Sequence, residues 1–264
     1  VSKKILVIGE SCEDVFNYGS AERLCPDVPA PVFKLGRTES NLGMAGNTVA
    51  NLQALGSDVD SIHQPEKIIK TRYVDDKLNY TFLRVDEGEN IITPFRSFFS
   101  EDLKNRICNY DAVIISDYGK GFLSESDIRK ICKLNEHTFI DTKKVLKEPL
   151  GKYCSEAFMV KINSPEFEAH KSKVDLTQWR NKLIVTLGDK GCMFNTHQGF
   201  QYFSVDPVKV FDLSGAGDTF LAALVWKYLD SNNIIDSIKY ANLQASMVVQ
   251  QKGVSIINVS SNLG

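Results

Sequence analysis

The chain has 264 residues, a formal net charge of −2, 43% hydrophobic and 24% charged residues, values of a globular protein able to bury a large core. The near-neutral balance excludes the broad basic field that attracts nucleic acid. Scattered cysteines (Cys12, Cys25, Cys108, Cys132, Cys154 and Cys192), no apolar run of membrane length and no signal-like N-terminus point to reduced thiols and a cytoplasmic protein without a membrane span.

The predicted elements alternate between strand and helix. Residues 4–8 (KILVI) predict a buried strand, and residues 46–56 (GNTVANLQALG) a helix with Val49, Leu52 and Leu55 on one side and Gly56 as its stop. The stretch 18–40 has three prolines and no helical period, and predicts a small β-flap. Strands follow at 79–86, 111–116, 138–141 and 157–163, with helices at 100–107, capped by Ser100, and at 124–135. Pro165 suits the first turn of a helix after 163. Residues 182–188 and 192–196 predict a hairpin around GDKG, and a last helix spans about 234–252, closed by Gly253. Apolar strands alternating with helices predict an α/β fold: a mainly parallel sheet covered on both faces, with its site at the carboxyl ends of the strands.

Within KVFDLSGAGDTFLAALVW (209–226), Gly215, Ala216 and Gly217 stand directly before an acid and an apolar helix. Small residues at a helix N-terminus let backbone N–H groups converge on an anion. Asp218, in the first turn, then stands beside that anion, where it can accept a proton from a hydroxyl attacking a phosphoryl group. The segment alone leaves a second reading open, in which Gly-Ala-Gly is a tight turn and Asp218 a helix cap. No G-x-x-x-x-G-K-[ST], no complete G-x-G-x-x-G and no protein-kinase motif set occurs.

DLSGAGDTF (212–220) resembles the signature of the ribokinase-like (PfkB-type) carbohydrate kinases. INSPEFEA (162–169), VTLGDKG (185–191) and NLGMAGNTVANLQALG (41–56) are similar to further segments of that family. SDYGKGFL (116–123), IDTK (140–143), CPDVPAPVFKL (25–35) and IKTRYV (69–74) resemble the subgroup that phosphorylates heptose 7-phosphate in lipopolysaccharide precursor synthesis. The resemblance implies one ribokinase-like kinase domain over 1–264, with 18–40 and part of 70–90 as a lid. It implies ATP and Mg²⁺, leaves a monovalent cation open, and gives Asp218 the role of base and Gly215, Ala216 and Gly217 that of the anion hole. Asn163 and Glu166 would order the magnesium and its waters, with Glu166 acting through water. Thr186, Gly188 and Gly191 would line the nucleotide, with Asn242 near the base; Asp14, Gly43 and Asn47 would hold sugar hydroxyls.

Each position also has a plainer role: Asn163 and Glu166 as a helix cap, Asp14 as a loop acid, Gly188 and Gly191 as hairpin residues, Asn47 as a cap of its own helix. Arg72, Lys120 and Lys143, placed at strand ends or loops, are candidates for neutralising a phosphate already on the sugar, or are solvated surface cations. The implied acceptor is a small sugar or sugar phosphate, D-glycero-D-manno-heptose 7-phosphate at its anomeric hydroxyl in the first place. The alternatives are another sugar, a nucleoside, or a catalytically weak relative.

Three departures stand out. Met44 replaces the second glycine of a usual pair and is expected to crowd the sugar; Glu10 stands where the subgroup has an aspartate; and residues 56–70 are short where the family has a further strand–helix–strand stretch. No second, nucleotidyl-transferring domain is expected after residue 260. An extended flap can pair with a copy of itself, so a homodimer is left open.

Overall fold

The computed structural model describes residues 2–143, 156–173, 175–251 and 253–258. Its strands are β1 (Lys4–Gly9), β2 (Ser11–Leu24), β3 (Pro31–Met44), β4 (Asp58–Ile62), β5 (Ile69–Asp75), β6 (Thr81–Glu87), β7 (Ala112–Asp117), β8 (Thr138–Thr142), β9 (Met159–Asn163), β10 (Leu183–Thr186), β11 (Cys192–Thr196) and β12 (Gly199–Phe203). Its α-helices are α1 (Ala45–Ala54), α2 (Glu101–Ile107), α3 (Glu125–Leu134), α4 (Ser164–His170), α5 (Ala216–Ser231) and α6 (Ile234–Val248).

Eight strands form one sheet in the order β12-β11-β10-β9-β8-β7-β1-β4. From β10 to β4 all neighbours are parallel; β11 and β12 join antiparallel at the far edge. The strands are apolar throughout because the sheet is covered on both faces. Alternate residues divide between two cores. Ile5, Val7, Ala112 and Ile114 pack with Leu52 of α1, Phe220–Val225 of α5 and Ile238 of α6. Leu6, Ile8, Val113 and Ile115 pack with Leu103 of α2, Ile128 and Ile131 of α3, and Phe167 of α4. This arrangement is the predicted mainly parallel α/β fold.

A second sheet has the order β3-β2-β5-β6. It is larger than the flap expected over 18–40: the β2–β3 hairpin begins with Ser11 opposite Met44 and ends with Leu24 opposite Pro31. The prolines mark only its tip, with Pro26 and Pro29 in the connection and Pro31 opening β3. Alternation along β2 buries Cys12, Asp14, Phe16 and Tyr18 on one face, so this sheet covers the carboxyl ends of the first. β2 and β5 pair in parallel, which sets Asp14 beside Lys70 and Phe16 beside Arg72.

The short 56–70 region resolves into β4, the parallel edge next to β1, and a link over 63–68 straight into β5. Buried Gln64 fixes that link, donating to Ser11 O at 2.6 Å and accepting from Ser11 N at 3.0 Å. The predicted hairpin is β10–β11, turned by a 3-10 segment with Gly188 at φ 65° and Gly191 at φ 84°. The last helix stops at Val248, short of the predicted 252. Cys12, Cys25, Cys108, Cys132 and Cys192 are free thiols, and Cys154 lies outside the described residues. Among the described residues no helix is long and apolar enough to cross a membrane.

Candidate active site

The carboxyl ends of the central strands and the N-terminus of α5 meet at Asp218. Gly215 caps α5 in the left-handed region at φ 81°, and a Cβ there would lie 2.5 Å from Asn47 Nδ2. Glycine is thus required both by conformation and by close approach. Asp218 follows in the first turn, 4% exposed. Its Oδ1 accepts from the Tyr118 hydroxyl at 2.6 Å and its Oδ2 from Asn47 Nδ2 at 3.3 Å. Burial lifts the carboxyl from its ordinary 3.8 to about 6; the Tyr118 hydrogen bond opposes this, Asp141 adds to it, and Lys161 and Asn47 oppose it.

Asn47 does not cap its helix. Met44 holds the N-cap position, and Asn47 projects from the first turn of α1 to Asp218 and to Gly215 O, also at 3.3 Å. Asn51 Nδ2 donates to Asn47 Oδ1 at 3.1 Å, which leaves the Asn47 amide nitrogen facing Asp218.

Sequence reasoning missed Lys161, Asp141 and Tyr118 around Asp218. Lys161 lies buried in β9, 2.6 Å from Asp141 Oδ2. A Cβ on Gly217 would come within 3.0 Å of the Lys161 ammonium, so the glycine lets that charge approach the helix start. The available sign was a lysine inside the apolar run MVKIN. Tyr118 follows β7, and its N–H donates to Glu10 Oε2 at 2.8 Å; the N–H groups of Lys120 and Phe122 reach Glu10 Oε1 at 3.0 and 3.1 Å. Fully buried Glu10 therefore shapes the 118–122 loop. Burial and Asp117 push its carboxyl up, and the backbone N–H groups pull it down.

Two cavities flank this centre. One, of about 370 Å³, is lined by Asp14, Asp218, Gly215 and Tyr118 together with five basic side chains: Lys70, Arg72, Arg84, Lys120 and Lys143. The other, of about 350 Å³, is walled by apolar Val205, Pro207, Val208, Phe220 and Val249, and by Thr186, Gly188, Gly191, Ala216, Gly217 and Asn242. Gly188 and Gly191 thus serve the hairpin and line the cavity as well. Asn242 Nδ2 donates to Phe203 O at 3.0 Å and Thr186 Oγ1 to Ile162 O at 3.4 Å. A further cavity of about 930 Å³, lined by Asp111, His137, Phe158 and Lys182 among others, lies at the opposite, amino-terminal end of the strands and holds none of the candidate residues.

Asp14 lines the basic cavity from strand β2, so it is not the loop acid of its plainer reading, and Arg72 lies in the middle of β5 rather than at a strand end. The two form an ion pair, with the Arg72 guanidinium 5.1 Å over the Phe16 ring. Gly43 lines neither cavity; a Cβ there would meet Asp14 Oδ2 at 2.0 Å and Cys12 Sγ at 2.6 Å, so it makes room for the Asp14 side chain. Asn163 and Glu166 also line neither cavity and form a reciprocal cap on α4: Asn163 Oδ1 accepts from Glu166 N at 2.9 Å, and Asn163 N donates to Glu166 Oε2 at 2.8 Å. Lys143 ties this cap to the centre, its Nζ 3.2 Å from Glu166 Oε1 and 3.9 Å from Asp141 Oδ1.

Met44 sits at φ 58°, ψ −134°, backbone that suits glycine. Its buried side chain packs with Cys12 and Ile68 and lines the basic cavity, with its sulfur 3.4 Å from Lys70 Nζ.

The model of the pfkB family carbohydrate kinases matches residues 69–261. Bifunctional protein HldE of Campylobacter curvus is 29% identical over 301 aligned positions, covering 97% of this chain and 63% of that protein. The protein of the same name from Helicobacter pylori strain HPAG1 is 28% identical over 97% of this chain and 65% of its own length. The chain therefore spans less than two thirds of these relatives. The 301 aligned positions exceed the 264 residues present, so several tens of positions in the Campylobacter protein have no counterpart here. Among solved structures, a putative ribokinase from Agrobacterium tumefaciens superposes with a TM-score of 0.75 at 12% identity over 99% of this chain and 97% of that one. A nucleoside kinase from Methanocaldococcus jannaschii gives 0.71 at 17% identity over 96% and 93%. At such identities the structures speak for the ribokinase-like fold alone, and the family follows from the sequence match over residues 69–261: the chain belongs to the pfkB family of carbohydrate kinases.

Proposed function

We propose that this protein transfers the γ-phosphoryl group of ATP to a hydroxyl of a phosphorylated sugar, with D-glycero-D-manno-heptose 7-phosphate at its anomeric hydroxyl as the first candidate acceptor. One observation carries the reading: Asp218 stands at the wall of a cavity that holds five basic side chains. Four of the five are ion-paired with carboxylates, but cations gathered on one wall can exchange those partners for a phosphate already on the acceptor, a use that an uncharged sugar does not give them. The SDYGKG segment supports the same choice, because it supplies Tyr118 and Lys120 to that wall.

In this reading Asp218 Oδ2 accepts the proton of the attacking hydroxyl. Its pKa near 6 leaves it ionised at neutral pH and still basic enough to act. Tyr118 and Asn47 fix its plane. The N–H groups at the start of α5, with the Lys161 ammonium beside Gly217, receive the charge of the transferring group. The apolar cavity takes the nucleotide base and the basic one the sugar, so the two meet at Gly215–Asp218. Asp14 and Asn47 hold sugar hydroxyls, and the four-stranded sheet acts as the lid that excludes water.

Among the described residues no cluster of three or more acidic, histidine or cysteine ligands is assembled, so a divalent cation here would be held mainly by the triphosphate and water, with two carboxylates nearby. Asp141 Oδ1 is buried without a hydrogen bond, and Glu166 presents a second carboxylate joined to it through Lys143. Glu166, Asn163 and Asp141 are the residues that would hold magnesium through its waters; when bound, the ion offsets the negative charge of the triphosphate. The outer face of the lid presents exposed Leu42, Leu83 and Val85, which supports pairing with a second copy of the chain.

The test is ADP release from Mg-ATP across a panel of sugars and sugar phosphates, with Asp218→Asn run in parallel. Turnover confined to phosphorylated sugars, lost in the variant, supports the proposal. Turnover with an unphosphorylated sugar or a nucleoside alone transfers the role to that acceptor. ATP binding without acceptor-dependent ADP release makes the protein a nucleotide-binding relative.

A further inference from the structure

The cations of the basic cavity are not equally matched. Arg72 has Asp14, Lys143 has Glu166, and Arg84 donates to both oxygens of Asp86 at 2.6 and 2.5 Å. Among the described residues Lys70 has no carboxylate within hydrogen-bond distance. The residue is 8% exposed. Its ammonium lies 3.4 Å from the Met44 sulfur, 5.7 Å from the Tyr118 ring centre and 3.7 Å from Glu89 Oε1. A thioether is a weak acceptor, and 3.7 Å is beyond a hydrogen bond. Glu89 spends its other oxygen on a direct ion pair with Lys120, while Oε1 stays buried with no hydrogen bond. One carboxylate is thus shared by two lysines that line the same cavity, tightly with one and loosely with the other. Asp86, across the strand pair from Lys70 and near both lysines, is held at both oxygens by Arg84, so three positive charges face two negative ones and a buried ammonium is left wanting acceptors.

We propose that Lys70 and Lys120 form the seat for the phosphate carried by the acceptor sugar, and that Glu89 is the resident counter-anion which this phosphate displaces. The inference rests on the phosphorylated-sugar reading and adds to it the residues that decide affinity. A phosphate offers three oxygens, enough to satisfy the Lys70 donors that the thioether and the distant carboxylate leave short, and to replace Glu89 at Lys120. Because Glu89 competes for the same cations, it weakens phosphate binding. An acidic residue that shaped the seat by holding the lysines apart would do the opposite, so the sign of its effect separates the two roles.

Inorganic phosphate and a sugar 7-phosphate are titrated calorimetrically into the full chain, with ADP present so that phosphate does not occupy the place of the nucleotide phosphates. Glu89→Gln and Glu89→Ala are compared with Lys70→Met, each checked for folding by its thermal melt. Both Glu89 variants are expected to bind inorganic phosphate about tenfold more tightly, the worth of one competing charge-assisted contact, and Lys70→Met to lose most of the affinity. Unchanged or weaker binding in whichever Glu89 variant folds overturns the proposal, as does undiminished binding in Lys70→Met. The titration needs no turnover, so it reads the seat even if the acceptor panel finds no substrate. Where a phosphorylated sugar does turn over, the gain in Glu89→Gln appears as a lower KM for that sugar, with the KM for ATP unchanged.

Discussion

The contact between Tyr118 and Asp218 makes a prediction that a pH profile can read. The hydroxyl donates to Oδ1 at 2.6 Å inside a buried site and opposes the burial that lifts the carboxyl to about 6. A hydrogen bond to a charged group is worth about 1.5–3 kcal/mol, and 1.36 kcal/mol corresponds to one pKa unit. Tyr118→Phe removes the donor and keeps the ring, so the Asp218 carboxyl moves up by about one to two units, to between about 7 and 8. A base must be ionised to work, so activity is lost as the pH falls through its pKa. The acid limb of kcat/KM is therefore expected near pH 6 in the wild type and displaced upward in the variant. At pH 6.5 the variant loses about 3- to 25-fold, and near pH 9 it recovers most of the wild-type rate. Burial and the Asp218 charge hold the phenol well above its ordinary pKa, so Tyr118 remains a donor across this range. The assay is acceptor-dependent ADP release from pH 5.5 to 9.5. A uniform fall at every pH with an unmoved acid limb would refute the reasoning and leave Tyr118 as packing alone.

Asp218→Asn is expected to lose about 10²–10⁴-fold in kcat and to melt higher at pH 8. The folded carboxyl titrates near 6 against an ordinary 3.8, so its contribution to stability is present at low pH and disappears as the pH rises through 6. The advantage of the asparagine is at most about 3 kcal/mol at pH 8 and vanishes below pH 4 in paired melts; a variant that melts lower at pH 8 contradicts the burial argument. At Met44, truncation to alanine loses buried packing, about 2–5 kcal/mol, and keeps the φ 58° backbone, whereas glycine loses the same packing and relieves the strain. Met44→Gly is therefore expected to be more stable than Met44→Ala by about 1–2 kcal/mol in urea unfolding, the reverse of the usual order; the ordinary order would show that no strain is stored there. Asn163→Ser keeps a capping side chain, so its stability stays within about 0.5 kcal/mol of wild type, while a role beside magnesium lowers kcat and changes the Mg²⁺ dependence. Wild-type kinetics in Asn163→Ser would reduce the motif to a helix cap.

What could be read from the sequence was what is local. The helix-start chemistry of Gly215–Asp218, the cap of Asn163 with Glu166 and the hairpin glycines 188 and 191 each lie within a few consecutive residues, where spacing and residue type determine geometry. The two-core division of the strands was legible for the same reason, since a run such as ILVI feeds alternate side chains to opposite faces of a covered sheet. The rest of the site depends on strand register over long separations. Asp14 reads as a loop acid until the parallel pairing of β2 with β5 sets it among Lys70 and Arg72. Lys161 and Tyr118 come to Asp218 from β9 and from the end of β7, and the local pattern shows only a charge out of place in an apolar run or an aromatic beside glycines. The Asn163–Glu166 pair shows why local legibility leaves the role open. Its hydrogen bonds are those of an ordinary capping box, and every one of them would be present in a protein with no chemistry at all. What separates it from an ordinary cap is Lys143, which joins Glu166 to Asp141 and so to the buried Lys161 beside Gly217. A chain of alternating charge leading from a helix cap to a helix start contributes little to stability where it is exposed and is costly where it is buried. Its buried part, Asp141 with Lys161, therefore argues for a task at the centre rather than for the fold.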